Sequence, residues 1–239
     1  MKRRRTLRVL SAAFSFVLIT SAIGYLAVLH PNSPLPPHWN PSVPIDLNAP
    51  ATPVTDWKIA GASEGQACFS ALAKGDVVFR RLPDLEDSPQ CGIEDRLVLS
   101  EVAGIALDPV ETRCATALRL TLWAEHGLKP AAQSMFGTGV SRLHHFSSYN
   151  CRAIRTTNGT GNRMSTHATA EAIDIAGVTL ADGQRITLLR DWGSGDRGAF
   201  LEAARDSACR WFVTTLGPDY NRLHADHFHL QSRGWGLCR

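Results

Sequence analysis

The residues of this sequence most suited to chemistry are two histidines and an aspartate that can bind a metal, with one further imidazole beside them. His167 precedes Asp174 by seven positions, and a single phenylalanine separates His227 from His229. A catalytic zinc keeps three protein ligands of nitrogen or oxygen type and one open position. These side chains would supply three ligands and one spare base. Because His-x-His pairs also occur in ordinary strands, a purely structural role stays open.

The elements around these residues must bring them together. In a strand of period 2, His227 and His229 project from one face and Phe228 from the other. Asp174 lies in the apolar, partly β-branched run 172–178, which is typical of a buried strand. A carboxylate in a buried strand must be paired or must bind a cation, since desolvating it alone is costly.

The rest of the pattern predicts an α+β domain, with helices packed against a mostly antiparallel sheet. A capping box at 63–66 predicts a helix through Leu72. Apolar spacing predicts a second helix over 111–126, ended by Gly127 and Pro130, and a third over 198–212. Strands are expected at 140–146, at 172–189 folded over a turn at 181–184, and at 227–230.

The pattern Ser-x-His-x6-Asp followed by His-x-His resembles the signature of a zinc peptidase superfamily. That superfamily includes D-alanyl-D-alanine carboxypeptidases, the penicillin-insensitive murein endopeptidase and the hedgehog signalling domain. More narrowly, the chain resembles the bacterial extensin-like C-terminal domain family over about residues 60–239. The segments that carry this likeness are 148–152, 165–168, 172–175, 217–221 and 224–230.

The resemblance implies roles for individual residues. His167, Asp174 and His229 would be the ligands of one Zn²⁺ ion, and His227 would be the general base. Arg152 would polarise the substrate carbonyl, although a surface guanidinium that covers apolar area is an equally open interpretation.

Four further positions follow from the same resemblance. His224 matches an extra active-site imidazole of the murein endopeptidases. Ser165 and Asp226 are expected to bind substrate or to support the ligands. Ala170 stands where many of these carboxypeptidases have glycine, which leaves the shape of the substrate cleft open.

The expected function is zinc-dependent hydrolysis of amide bonds in peptidoglycan peptides, as a D,D-carboxypeptidase or a murein endopeptidase. One alternative is a non-catalytic, zinc-containing module that binds the cell wall or takes part in signalling. A second alternative is a structural surface protein without a metal.

The N-terminus predicts a membrane location. A basic cluster at 2–5 precedes an apolar stretch from Val9 to Leu29, whose 21 residues suffice to cross a bilayer. We expect residues 1–30 to form a cytoplasmic basic tip and a single-pass anchor in the bacterial inner membrane, with the following domain in the periplasm. Export after signal cleavage near Ser21 or Ala22 is the alternative.

The charge of the chain is concentrated at its N-terminus. Five of the 25 basic residues lie in the first eight positions, which leaves 20 basic against 22 acidic residues and no basic patch typical of nucleic-acid binding.

Proline content separates the N-terminal segment from the domain. Eight of the 13 prolines fall in 31–53, so we expect a proline-rich, extended linker at 31–55 and one domain at 56–239.

Six cysteines predict disulfides, because the periplasm is oxidising. Nearest neighbours in sequence give the expected pairs, and a cysteine-bound zinc is disfavoured since the sequence has no Cys-x2-Cys. The expected pairs are Cys68 with Cys91, Cys114 with Cys151, and Cys209 with Cys238.

Overall fold

The computed structural model describes the backbone of residues 2–157 and 159–239, with side chains from Leu10 onward. Met1 and the side chains of the predicted basic cluster at 2–5 lie outside the described residues. The chain divides into two compact units. One comprises the residues up to Ile45 with 49–60, and the other comprises 46–48 with 61–239.

The first unit begins with helix α1, Lys2–Leu29. Its stretch Leu10–Leu29 has a mean hydropathy of 2.1 and is long and apolar enough to cross a membrane. A helix of this composition at an N-terminus serves either as an anchor or as a signal sequence.

The proline-rich segment that follows α1 folds into turns held by side-chain hydrogen bonds, in contrast to the extended spacer that its composition predicts. Asn40, which is buried, donates from Nδ2 to the His30 carbonyl at 2.8 Å. Thr52 donates from Oγ1 to the His38 carbonyl at 2.8 Å. These bonds bend the chain at several points, so proline fixes individual residues without producing one continuous rod. Helix α2, Thr55–Gly61, follows.

The second unit is built on twelve strands. They are β1 Val77–Arg81, β2 Leu85–Ser88, β3 Cys91–Ile93, β4 Arg96–Val102, β5 Ile105–Arg113, β6 Val140–His145, β7 Ala153–Thr156, β8 Gly159–Met164, β9 Ala172–Leu180, β10 Arg185–Thr187, β11 Thr214–Leu216 and β12 Phe228–Gln231 among the described residues. Eight of them form one sheet with the order β1-β4-β5-β6-β9-β12-β11, in which β10 also pairs with β9. The strands of this sheet pair antiparallel except for β5 with β6. Two separate hairpins are formed by β2 with β3 and by β7 with β8.

Helices pack against this sheet and against one another, so the predicted α+β class is confirmed. The helices of the unit are α3 Gly65–Leu72, α4 Cys114–Trp123, α5 Lys129–Phe136, α6 Leu188–Asp191 and α7 Gly195–Trp211. Trp123 on α4 is 1% exposed and donates from Nε1 to the Ala204 carbonyl of α7 at 2.9 Å.

Two helix boundaries differ from the expectation. Gly127 and Pro130 do not end the second predicted helix, because a π-helical turn, Ala124–Leu128, joins α4 to α5. Pro130 lies in the first turn of α5, where a missing N–H is tolerated. Gly127 serves close packing, since a Cβ there would lie 2.5 Å from Ser207 Oγ. Helix α3 begins at Gly65, its N-cap residue Glu64 makes no side-chain capping bond, and the Gly65 N–H donates to Asp95 Oδ2 at 2.8 Å.

Two of the three expected disulfides are wrong, because tertiary packing selects partners that are not neighbours in sequence. Cys68 bonds to Cys114, 46 positions away, where α3 packs beside the start of α4. Cys91 bonds to Cys151, 60 positions away, and ties the β2–β3 hairpin to the loop before β7. The pair Cys209 and Cys238 is confirmed.

Candidate metal centre

Asp174 and His229 meet because they lie directly opposite each other on neighbouring strands. The antiparallel register of β9 and β12 pairs these two residues, and Asp174 Oδ1 lies 2.8 Å from His229 Nδ1. The flanking Ile173 and Ile175 are buried in the core, which fixes β9 and leaves the Asp174 side chain on the opposite face. The predicted strand at Asp174 is thus confirmed.

A short 3-10 helix, Thr166–Thr169, brings His167 to the same place. Ser165 caps this helix, since its Oγ accepts a hydrogen bond from the His167 N–H at 3.3 Å. Ala170 then turns the chain into β9 with a left-handed φ of +49°, a conformation that is strained for alanine and natural for glycine. His167 Nε2 lies 3.2 Å from Asp174 Oδ1 and 3.0 Å from His229 Nδ1.

A hydrogen bond on the side of the ring away from the cluster orients the imidazole of His167. Its Nδ1 donates to the carbonyl of the fully buried Ser148 at 2.7 Å. With Nδ1 bonded to that carbonyl, Nε2 is the nitrogen of His167 that faces Asp174 and His229, and it offers a lone pair to them when it carries no proton. Such a convergence of acceptor atoms requires a proton or a cation between them. A partner on the second nitrogen is also the arrangement that orients histidine ligands in metal sites.

The ionisation of the cluster favours metal binding. Burial raises the pKa of the Asp174 carboxyl, but hydrogen bonds with His167 and His229 outweigh burial and hold that pKa well below its usual range. Burial lowers the pKa of the His229 imidazole, with partial opposition from Asp174. The carboxylate is therefore ionised and the His229 imidazole neutral at neutral pH, and these are the forms that bind metals.

The size of the cluster also fits one metal ion. One ligand atom each from His167, Asp174 and His229 lies within 4.8 Å of the others. Ligands about 2.0–2.1 Å from a tetrahedral zinc are about 3.3 Å from one another. The three contacts of 2.8, 3.2 and 3.0 Å are close to that spacing, so small side-chain movements suffice to accommodate an ion.

A third imidazole, that of His227, faces the cluster from outside the strand. Strand β12 begins at Phe228, so His227 precedes it by one residue and does not open the strand as predicted. His227 Nδ1 donates to Asp226 Oδ1 at 2.8 Å, and its Nε2 lies 3.5 Å from Asp174 Oδ1. Phe146 packs edge-on against its ring. His227 is therefore a neighbour of the triad with its own carboxylate partner.

The comparison with known proteins adds a family to this geometry. The model of the family described as Extensin-like protein C-terminus matches residues 66–239, which is most of the chain. The chain belongs to this family. No curated protein and no solved structure matches it.

The extensin-like domain places a further imidazole, His224, at the edge of the centre. Its ring centroid lies 5.2 Å from that of His227 and 5.8 Å from that of His229. His224 Nδ1 donates to Asn221 Oδ1 at 2.8 Å. Burial and the charges of His229 and His227 lower the pKa of His224 to about 4, so this imidazole is neutral at neutral pH.

Arg152 lies near the centre without a direct bond to the triad. Its Nη1 donates to the Ala153 carbonyl at 3.3 Å. Burial and the charge of Arg155 lower the pKa of Arg152, whereas the charge of Asp174 raises it. This coupling shows that the guanidinium lies within electrostatic reach of Asp174.

Sequence reasoning missed two residues of the extensin-like domain that support the centre. Ser148 orients His167 through its carbonyl and donates from Oγ to the Ala172 carbonyl at 2.7 Å. Asn221 orients His224. Both residues lie in segments that carry the family resemblance, 148–152 and 217–221, but the sequence pattern assigned no role to either of them.

Proposed function

We propose that this extensin-like domain is a zinc-dependent peptidase that hydrolyses amide bonds in peptidoglycan peptides. The observation that carries the proposal is the convergence of His167, Asp174 and His229 on one point, with the imidazole of His227 facing the same point. A surface protein with no metal would gain little from a carboxylate and two imidazoles gathered in a largely buried place, because desolvating such polar groups is costly.

Zinc is the proposed ion because the ligands are two imidazole nitrogens and one carboxylate oxygen. A set of three such ligands leaves one position open, as in catalytic zinc sites. Zinc bound there would supply a water of lowered pKa and a Lewis acid for the substrate carbonyl.

His227 is proposed as the general base. Its Nδ1 proton is held by Asp226, so Nε2 carries the lone pair and faces the centre. In this state the imidazole accepts a proton from the attacking water and returns it to the leaving amine. Assistance of this type is worth roughly 10²- to 10⁴-fold in rate.

Arg152 is proposed to stabilise the negative charge that develops on the carbonyl oxygen during attack. Its partial burial strengthens this effect, since a fixed charge acts more strongly where water is scarce. The charge of Asp174 raises the pKa of Arg152 and so favours its charged form.

The substrate is proposed from the family resemblance, and the location from the N-terminal helix and the disulfides. The apolar helix α1 is proposed to anchor the protein in the inner membrane. Three disulfides fit an oxidising compartment outside the cytoplasm, where peptidoglycan peptides are accessible.

The test uses the purified full chain in detergent with its disulfides intact. We expect stoichiometric zinc by elemental analysis, and peptide fragments released from peptidoglycan by mass spectrometry. His227→Ala should keep the zinc and lose hydrolysis, whereas His229→Ala should lose both. His144→Gln is the matched control, because His144 bonds to Thr179 Oγ1 and lies outside the cluster.

Each outcome separates the candidate functions. Zinc with no hydrolysis in the wild type would favour the non-catalytic wall-binding or signalling module. Absence of zinc from both wild type and His144→Gln would refute the metal centre. Equal loss of zinc in the His227 and His229 variants would make His227 a ligand and not a base.

A further inference from the structure

Glu171 connects the three elements that each carry one candidate metal ligand, namely the 3-10 helix, β9 and β12. It follows the 3-10 helix, and its N–H donates to the Thr166 carbonyl at 2.9 Å. It directly precedes β9. Its carbonyl accepts hydrogen bonds from the N–H of Ser232 at 2.8 Å and from Ser232 Oγ at 3.0 Å, and Ser232 directly follows β12. A displacement of Glu171 would therefore move the three ligands relative to one another.

The carboxylate of Glu171 is buried and hydrogen-bonded through both of its oxygens. Thr169, the last residue of the 3-10 helix, donates from Oγ1 to Glu171 Oε2 at 2.9 Å. Arg113, the last residue of β5, donates from Nη1 to Glu171 Oε1 at 3.1 Å. The side chains of Arg113 and Glu171 are 13% and 11% exposed, which makes this the least exposed pair of arginine and carboxylate among the described residues.

Stability alone is a weak reason for an ion pair at this depth. Removing two charges from water costs about as much free energy as their attraction returns, so apolar side chains would often stabilise the fold equally well. The pair does impose a fixed geometry on the segment between β5 and the 3-10 helix. That segment needs a restraint, because Ala170 has a φ of +49°, which is strained for alanine. Thr116 adds a second restraint, since its Oγ1 donates to the Ala170 carbonyl at 2.8 Å.

We propose that Glu171 is a positioning residue of the metal centre, which holds the three ligands at the spacing that one ion requires. Arg113 and Thr169 fix its carboxylate, and Ser232 extends the restraint to β12. The carboxylate itself neither binds the ion nor transfers a proton. The inference rests on the metal centre of the proposed function but not on hydrolysis, because it concerns the affinity and the geometry of the bound ion.

The test measures metal binding by the full chain in detergent, stripped of metal and titrated with zinc against a competing chelator. Glu171→Gln keeps the shape of the side chain and removes its charge, and Arg113 retains Glu94 as an ion-pair partner. We expect the Kd for zinc to rise about tenfold, as when residues that orient metal ligands are changed. The visible absorption of bound Co²⁺ should also change, because it depends on the geometry of the ligands.

Glu111→Gln is the matched control. It also removes a carboxylate that pairs with an arginine, Arg96, but Glu111 lies on β5, which β6 separates from β9. This variant should keep the wild-type Kd for zinc and the wild-type Co²⁺ absorption. Urea titration of the metal-free proteins measures the loss of stability in each variant. If Glu171 only stabilised the fold, Glu171→Gln would lose stability with both metal readouts unchanged.

Thr169→Val tests the same restraint through a smaller change, because valine keeps the shape of threonine and removes the bond to Glu171 Oε2. The Kd for zinc should rise about fivefold, the effect of one hydrogen bond. In Thr169→Val/Glu171→Gln the rise should be smaller than the product of the two single effects, since both changes break one contact. Should Glu171→Gln fail to fold, Thr169→Val alone decides the question.

The outcomes separate this inference from the proposed function. If the wild type binds zinc without hydrolysing peptidoglycan, and both substitutions weaken zinc binding as expected, the hydrolase proposal fails and the inference stands. A wild-type Kd and Co²⁺ absorption in folded Glu171→Gln, or in Thr169→Val, would refute the inference. A wild type that binds neither ion would refute it together with the metal centre.

Discussion

Zinc should stabilise the folded protein through three ligands and independently of His227. The ligands His167, Asp174 and His229 come from a 3-10 helix and two strands, and the first and last are 62 residues apart. The unfolded chain does not gather them, so zinc binds the native state. At a free zinc concentration one hundred times its Kd, the free energy of unfolding rises by about 2.7 kcal/mol.

The expected change in Tm follows from this free energy and from the size of the second unit. For a unit of 150–250 residues, each kcal/mol raises Tm by about 2–4 °C. We therefore expect zinc to raise Tm by about 5–11 °C. The cysteines are all in disulfides, so competing zinc binding by thiolates of the unfolded chain is avoided.

Scanning calorimetry of the full chain, stripped with a chelator and then reloaded, measures the rise. Asp174→Asn preserves the shape of the side chain and removes its charge, so it should lose most of the rise. His227→Ala should keep the rise of the wild type and serves as the matched control. An equal rise in Asp174→Asn and the wild type, or its loss in His227→Ala, would refute the assignment of ligands.

Three further outcomes are expected. Asp226→Asn should retain zinc but reduce hydrolysis about 10- to 100-fold, since the partner that fixes the His227 tautomer is weakened, and an unchanged rate would contradict this role. Replacing Cys91 and Cys151 together by serine should lower the free energy of unfolding by about 4 kcal/mol in urea titrations, because the bond closes a long loop. In metal-free protein the lowered pKa of His224, about 4, means that the unfolded state binds more protons below its own value near 6.5. Stability should therefore fall between about pH 6.5 and pH 4, and His224→Gln should flatten that fall in pH-dependent urea titrations.

Local pattern predicted the elements that bear the centre. The apolar run around Asp174 indicated a buried strand, and that strand is β9. The hairpin over 181–184 and the helix over 198–212 were also predicted, and they correspond to β9 with β10 and to α7. These successes share one cause, since side-chain periodicity and turn residues act over a few positions.

Helix ends were less accessible to prediction. Gly127 was expected to stop a helix, yet it allows α4 and the π-helical turn to approach Ser207 of α7. The requirement for glycine there comes from a residue 80 positions later. No local pattern contains that information.

By itself the sequence determined which residues are able to bind a metal, the α+β class, the apolar N-terminal helix and an even number of cysteines. Only the tertiary structure decided that Asp174 lies opposite His229 and that Cys91 bonds to Cys151. It also placed Asp226 on one nitrogen of His227, with the other nitrogen facing the centre. The physical reason is that strand register and disulfide choice depend on packing between distant segments, whereas residue type and periodicity depend on neighbours along the chain.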